Sequence, residues 1–267
     1  MKPLKANTEM DINKILKTAK LISQIMLENG AETYRVEDTI MRICQSFSFT
    51  EVEAIVIPTG VFISVSLDGV SNNHTVIKRV KKRTVDLAKV NSANTISRQI
   101  TSGAINLDQA ILQLENMLAA SPEKRLFPTL AAGLSAGFFT LLFGGGLFDF
   151  SIASFSGAIV QLAAFFLKRE DMFHFIISLT GGIITAFIAI AATQIFSTGN
   201  LELIISGGIM PLLPGLAMTN AIRDSMRGDL VSGVARGTEA LIVAVALAVG
   251  VMIVLKAWLL MGGGFNL

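Results

Sequence analysis

Cysteine is nearly absent. Cys44 stands alone in 267 residues, which excludes a disulfide framework within one chain and any cysteine-based metal site. Histidine is almost as scarce: His74 and His174 lie far apart with no adjoining His or Cys, so neither a metal nor any other cofactor is expected. Charge is thin in the second half, where residues 127–267 hold only six of the 22 Lys and Arg (Lys168, Arg169, Arg223, Arg227, Arg236 and Lys256). A net charge of +2 is too small to suggest nucleic acid as a partner, and the basic surplus is better explained by membrane topology. The first residues, MKPLKANTEMDINK, contain no apolar run, so no cleavable signal peptide is expected.

What is present is apolar. With 52% hydrophobic residues and a mean hydropathy of +0.61, the chain is too greasy for an ordinary soluble protein. Its uneven charge predicts a polar front part and a membrane-embedded back part. In residues 9–29, Ile12, Ile15, Leu16, Ala19, Ile22, Ile25 and Met26 recur at helical spacing up to Gly30. A second helix is expected from Thr33, as its cap, to Phe47. The period then changes to partly alternating β-branched segments at 51–57, 61–67 and 74–80, with Asp68-Gly69 as turn material. Helical spacing returns over 84–100, and Asn106 can cap a last helix through Leu118. Residues 1–120 are therefore expected to form a small α+β domain, helices packed on a short antiparallel sheet, with 121–126 as linker.

Residues 127–267 predict an all-α transmembrane bundle of five helices, at about 127–143, 150–167, 172–196, 203–222 and 239–260, the fourth interrupted. Lys168 and Arg169 fall between spans two and three, and Arg223, Arg227 and Arg236 between four and five. Loops 144–149 and 197–202 carry no Lys or Arg. The positive-inside rule then places the N-terminal domain in the cytoplasm and the C-terminus outside. Glycines recur in the spans (Gly133 and Gly137, Gly181 and Gly182, Gly207 and Gly208, Gly233 and Gly237), as close helix packing in lipid requires.

The chemistry concentrates in residues 207–239. Pro211 and Pro214, followed by Gly215, break the helical hydrogen-bond ladder inside an apolar segment, because proline has no N–H and its ring clashes with the preceding turn. A broken helix at bilayer depth is tolerated only against protein or a polar cavity, which makes it a candidate ligand site. Arg223, Asp224, Arg236 and Glu239 adjoin the apolar segments, where an unpaired charge is costly, so pairing or a polar path is expected. A guanidinium suits a substrate carboxylate; a carboxylate suits an ammonium or a carried proton. The candidate substrate-binding set is Pro211, Pro214, Gly215, Asn220, Arg223, Asp224, Arg236 and Glu239. Arg227 and Asp229 are assigned to a solvated loop. Gly133-Leu134-Ser135-Ala136-Gly137 matches the nucleophile elbow of hydrolases, but it lies within a span and doubles as a packing face; no enzymatic role is expected.

Gly30-Ala31-Glu32-Thr33-Tyr34-Arg35-Val36-Glu37-Asp38, then Pro58-Thr59-Gly60 running into Val61-Phe62-Ile63-Ser64-Val65, then Pro211-Leu212-Leu213-Pro214-Gly215 to Ala221-Ile222-Arg223-Asp224 with Gly228-Asp229, Gly233, Arg236 and Glu239-Ala240, occur in that order. In this combination the chain resembles the threonine/serine exporter family over nearly its full length. The resemblance implies a multi-pass exporter of the cell's inner membrane for small amino acids, driven by the proton gradient, with a cytoplasmic N-terminal domain. A chain ending after five spans resembles the two-component branch, which implies a second small hydrophobic membrane subunit. As an alternative the resemblance implies a subunit for export of a dicarboxylate such as succinate, and it allows a homo-oligomer. The likeness also marks Glu32, Tyr34, Arg35, Glu37 and Asp38 as a gating surface or cytosolic substrate contact. The competing reading is a membrane-anchored cytoplasmic sensor or scaffold.

Overall fold

The computed structural model describes residues 9–47, 49, 51–66, 73–81, 83–120, 126–169 and 174–264. The expected turn at Asp68-Gly69 and the hinge at 121–125 lie outside them. In chain order the elements are α1 (Glu9–Glu28), α2 (Thr33–Ser46), β1 (Glu51–Ile57), β2 (Gly60–Ser66), β3 (His74–Arg79), α3 (Leu87–Thr101), α4 (Leu107–Ala119), α5 (Leu126–Leu142), α6 (Leu147–Arg169), α7 (His174–Phe196), α8 (Leu201–Ile209), a 3-10 turn (Met210–Leu212), α9 (Gly215–Met226) and α10 (Leu230–Leu260). Contacts group them into two compact units: residues 1–121 with 216–237, and residues 122–215 with 238–267.

In the first unit, α1 is the central helix. Its fully buried Ile15, Ala19, Ile22 and Met26 pack with Val36, Ile40 and Ile43 of α2, Val90, Ala93 and Ile100 of α3, and Ala110 and Leu114 of α4. Each large aliphatic side chain so buried contributes roughly 1.5–3 kcal/mol relative to an exposed one. The sheet is antiparallel in the order β1-β2-β3, with Val61, Ile63 and Val65 turned to this core and Phe62 outward, as period-two alternation demands. Asn106 caps α4 in a full capping box with Gln109, as the sequence predicts. Thr33 does not cap α2. The cap position falls on Glu32, which makes no side-chain cap bond, because both side chains are engaged elsewhere. Segment 84–86 pins the end of α1, with the Thr84 and Asp86 amides donating to the Glu28 and Asn29 carbonyls at 2.7 and 3.2 Å.

In the second unit the helices meet at small residues. A methyl group at Gly182 of α7 would lie 2.5 Å from the Leu247 carbonyl oxygen of α10, and Gly250 of α10 returns the approach to α7. Asp149, near the start of α6, accepts from the Gly146 and Asn200 amides at 2.9 and 2.8 Å and so joins the turn before α6 to the turn before α8. Pro211 is the second residue of the 3-10 turn after α8. The carbonyls the two prolines deprive of partners, Gly207 and Met210, are taken three residues on by the amides of Met210 and Leu213.

Among the described residues three helices are long and apolar enough to cross a membrane: Leu147–Leu167, Phe175–Phe196 and Leu230–Leu260. The pair Leu201–Leu212 and Gly215–Met226 makes a fourth if taken as one span, bent by 58° at the break. The remaining apolar helix, Leu126–Leu142, has 17 residues. At 1.5 Å per residue that is about 25 Å, the low end of the range for a span, so among the described residues length and composition support three or four spans and do not by themselves add the expected fifth.

Candidate functional site

The polar cluster lies wholly within the first unit, where the chain after α1 meets α9 and the start of α10. Gly30 ends α1 with φ +93°, a left-handed conformation that glycine adopts without strain. That turn sends two consecutive carbonyls away from the helix. The Gly30 carbonyl accepts from Asn220 Nδ2 at 3.0 Å and the Ala31 carbonyl from Arg236 Nη2 at 2.8 Å.

Next in the chain, Glu32 presents its carboxylate to two guanidiniums. Oε2 accepts from Arg35 Nη1 at 3.2 Å, and Oε1 pairs with Arg223. Burial pushes this carboxyl's pKa up, but the backbone amide bond, Arg35 and Arg223 together outweigh it and hold it below the usual value. Thr33 donates to Asp229 Oδ2 at 3.3 Å, and the Arg227 guanidinium lies over the Tyr34 ring, 4.5 Å from its centroid. Behind these contacts, fully buried Asp224 receives Arg236 Nε at 3.1 Å from Oδ2. A buried pair of this kind is a poor source of net stability, because desolvation offsets attraction, but losing one partner strands the other charge.

α9 supplies this cluster because its pattern is amphipathic. Asn220, Ala221 and Asp224 are buried on one side, whereas Met218, Ile222 and Met226 are exposed. On the outward side Thr219, Ile222, Arg223, Met226 and Arg227 line an open groove. Glu37 faces the sheet, its Oε1 accepting from the Val56 amide at 3.0 Å. Burial raises its pKa, against the lowering effect of that bond and with help from Asp229, Asp38 and Asp224. Asp38 is exposed. Among the described residues no group of three His, Cys, Asp or Glu is gathered as a metal requires.

Of the predicted site residues, the structure brings Asn220, Arg223, Asp224, Arg236, Glu32, Tyr34 and Arg35 together. Pro211, Pro214, Gly215 and Glu239 belong to the second unit. Arg227 and Asp229, read from sequence as solvated, are engaged with Tyr34 and Thr33. The signal that could have found them is the polar run 30–38 itself, which needs partners of both signs.

A chain that joins a small α+β unit and a buried ion network to several helices of membrane-spanning length has the build of a membrane transport protein. The family described as "Putative threonine/serine exporter" matches residues 17–258, and the chain belongs to that family. It is similar to a Mycobacterium tuberculosis protein named "Probable threonine/serine exporter", 24% identical over 93% of this chain and 47% of the relative. An uncharacterised Schizosaccharomyces pombe protein is 24% identical over 90% of this chain and 32% of its own length. A Klebsiella aerogenes protein named "Probable succinate transporter subunit YjjP" is 22% identical over 89% of this chain and 91% of its own length. The chain thus spans half or less of the first two relatives and nearly all of the third. No solved structure matches.

Proposed function

We propose that this chain is a secondary exporter subunit of the inner membrane for small amino acids of the threonine/serine type, proton-coupled and working with a second small membrane subunit. Its N-terminal part faces the cytoplasm and its C-terminus lies outside. Substrate enters from the cytosol near residues 223–239. The observation that carries the reading is the pairing of Arg223 with Glu32: an internal carboxylate occupies a guanidinium that suits a substrate carboxylate. Glu32 then acts as a gate, displaced when substrate binds, and Arg236 with Asp224 forms the second ion pair, whose carboxylate takes the amine or a proton. Glu239 is a further carboxylate for that role. Pro211, Pro214 and Gly215 supply the break at which the helix can move.

The test is efflux of preloaded threonine or serine from cells expressing the chain, with and without a candidate partner subunit. Arg223→Ala and Glu32→Gln variants present at wild-type amounts should change the rate by tenfold or more, about 1.4 kcal/mol at the barrier; unchanged efflux sinks the reading. A dicarboxylate substrate is the second reading, favoured because the relative matched along almost its entire length is the one named for succinate. Succinate efflux in the same cells separates the two.

A further inference from the structure

Several hydroxyls in the span-length helices bond back to the preceding turn. Thr180 donates to the Ile176 carbonyl, Thr193 to Ala189 and Ser151 to Leu147. Such back-bonding uses up their one donor. Ser156 of α6 and Thr185 of α7 differ: both are fully buried, and neither Oγ of Ser156 nor Oγ1 of Thr185 has a hydrogen-bond partner; Ser154 Oγ of α6 shares that lack but lies against Gly137 of α5. They also converge. A methyl group placed on Gly208 of α8 would lie 2.6 Å from Thr185 Cγ2, 3.6 Å from Ser156 Oγ and 3.8 Å from Thr185 Oγ1, so the Thr185 methyl covers the glycine and both oxygens flank it. Ser156 and Thr185 each sit near the middle of a 23-residue helix, the depth at which transporters of broken-helix design place their sites. A hydroxyl left unpaired at that depth is desolvated without a bond in return, a cost that packing does not repay.

We infer that Ser156 and Thr185, facing Gly208, form a subsite that hydrogen-bonds the side-chain hydroxyl of the exported amino acid, and so select threonine and serine over their deoxy analogues. The inference rests on the amino-acid reading above. The site carries no charged side chain, so it fits a neutral hydroxyl better than a carboxylate, an ammonium or a bare cation. In the state described here it is closed. α8 meets α6 and α7 here through Gly208 and through the buried Ala153, Ala186, Ala189, Ile204 and Ile205, so a substrate reaches both oxygens only when α8 moves off α6 and α7. A site made to bond a hydroxyl rejects the analogue that lacks one, because its own polar groups are then left unpaired.

The experiment compares efflux of threonine with that of 2-aminobutyrate, which differs by that hydroxyl alone, from cells expressing the full chain with any partner it needs. Wild type is expected to prefer threonine by at least about tenfold. The Ser156→Ala, Thr185→Val double variant should lose most of that preference, while Thr185→Ser, which keeps the oxygen, should retain it. Equal efflux of the two solutes by wild type overturns the inference without any variant. So does an unchanged preference in the double variant. If wild type moves succinate but neither amino acid, the amino-acid reading fails and takes the subsite with it.

Discussion

Arg223 holds the carboxylate of Glu32 from a position 191 residues further along the chain. With Arg35 on the other oxygen, Glu32 is paired on both sides, and its pKa in the folded protein lies below the unfolded value. The sign follows from that depression. The stability it contributes is fully present above the unfolded carboxylate pKa, and it drains away as pH falls through the lower folded value. Thermal unfolding of the detergent-solubilised protein across acid pH should therefore show a downward limb that is shallower in Glu32→Gln. Identical limbs in the two proteins would falsify the pairing as a source of stability.

Glu37 should behave in the opposite way. Its carboxyl is raised by burial, so the folded protein prefers it protonated and is penalised while it is charged. The penalty is complete above the folded value, shrinks as pH falls through it and is gone below the unfolded value. Glu37→Gln keeps an oxygen to accept from the Val56 amide and removes the charge. It should be more stable than wild type at neutral pH, with the gap closing in acid. Monitoring Val56 amide exchange alongside unfolding checks that the acceptor was kept.

How much of this was readable in advance depends on the distance over which each contact acts. The period of Ile15, Ile22 and Met26, the capping pair Asn106 and Gln109, and the break at Pro211 are properties of short windows, and local stereochemistry expresses them directly. The contacts of the cluster are not local. Asn220 to the Gly30 carbonyl and Arg236 to the Ala31 carbonyl engage backbone atoms, which every residue carries, so no residue pattern announces them. Arg227 and Asp229 looked like loop charges because a loop charge and half of a long-range pair are written with the same letters. α5 is apolar throughout, but at 17 residues its length is the low end of the range for a span, so composition alone does not decide whether it crosses.

The Asp224 and Arg236 pair predicts strong coupling. Asp224→Asn and Arg236→Ala each leave one buried group without its counter-charge, and each should destabilise by about 3–5 kcal/mol. The double variant should lose much less than the sum. Arg236→Lys should recover only part of the loss, since one ammonium has to replace the Nε contact to Asp224 and the Nη2 bond to the Ala31 carbonyl. Additive losses in a double-mutant cycle would show that the two charges act independently.

Cys44 should be inert. It is buried in α2 with its thiol pushed up to about 12, so the reactive thiolate is scarce and shielded at neutral pH. A maleimide reagent should label it only at the rate of unfolding, and the rate should be independent of reagent concentration once the reagent is in excess. Rapid labelling of the folded protein, proportional to reagent, contradicts the packing of α2.

The α7–α10 crossing gives the sharpest steric test in the second unit. Lipid supplies little hydrophobic drive between helices, so their association depends on close approach, and here each glycine meets the other helix's backbone. A Cβ at Gly182 has nowhere to go, because the atoms in its way, the Leu247 carbonyl oxygen at 2.5 Å and the Val251 nitrogen at 3.2 Å, are main chain and cannot turn aside as a side chain could. Gly182→Ala should therefore destabilise by roughly 1–3 kcal/mol, the range for overpacking, and Gly182→Val by more. Gly264→Ala, with nothing within 4 Å of its new methyl, controls for the general effect of adding one. If Gly182→Ala unfolds at the same temperature as the Gly264 control, the helices do not cross where these two glycines place them.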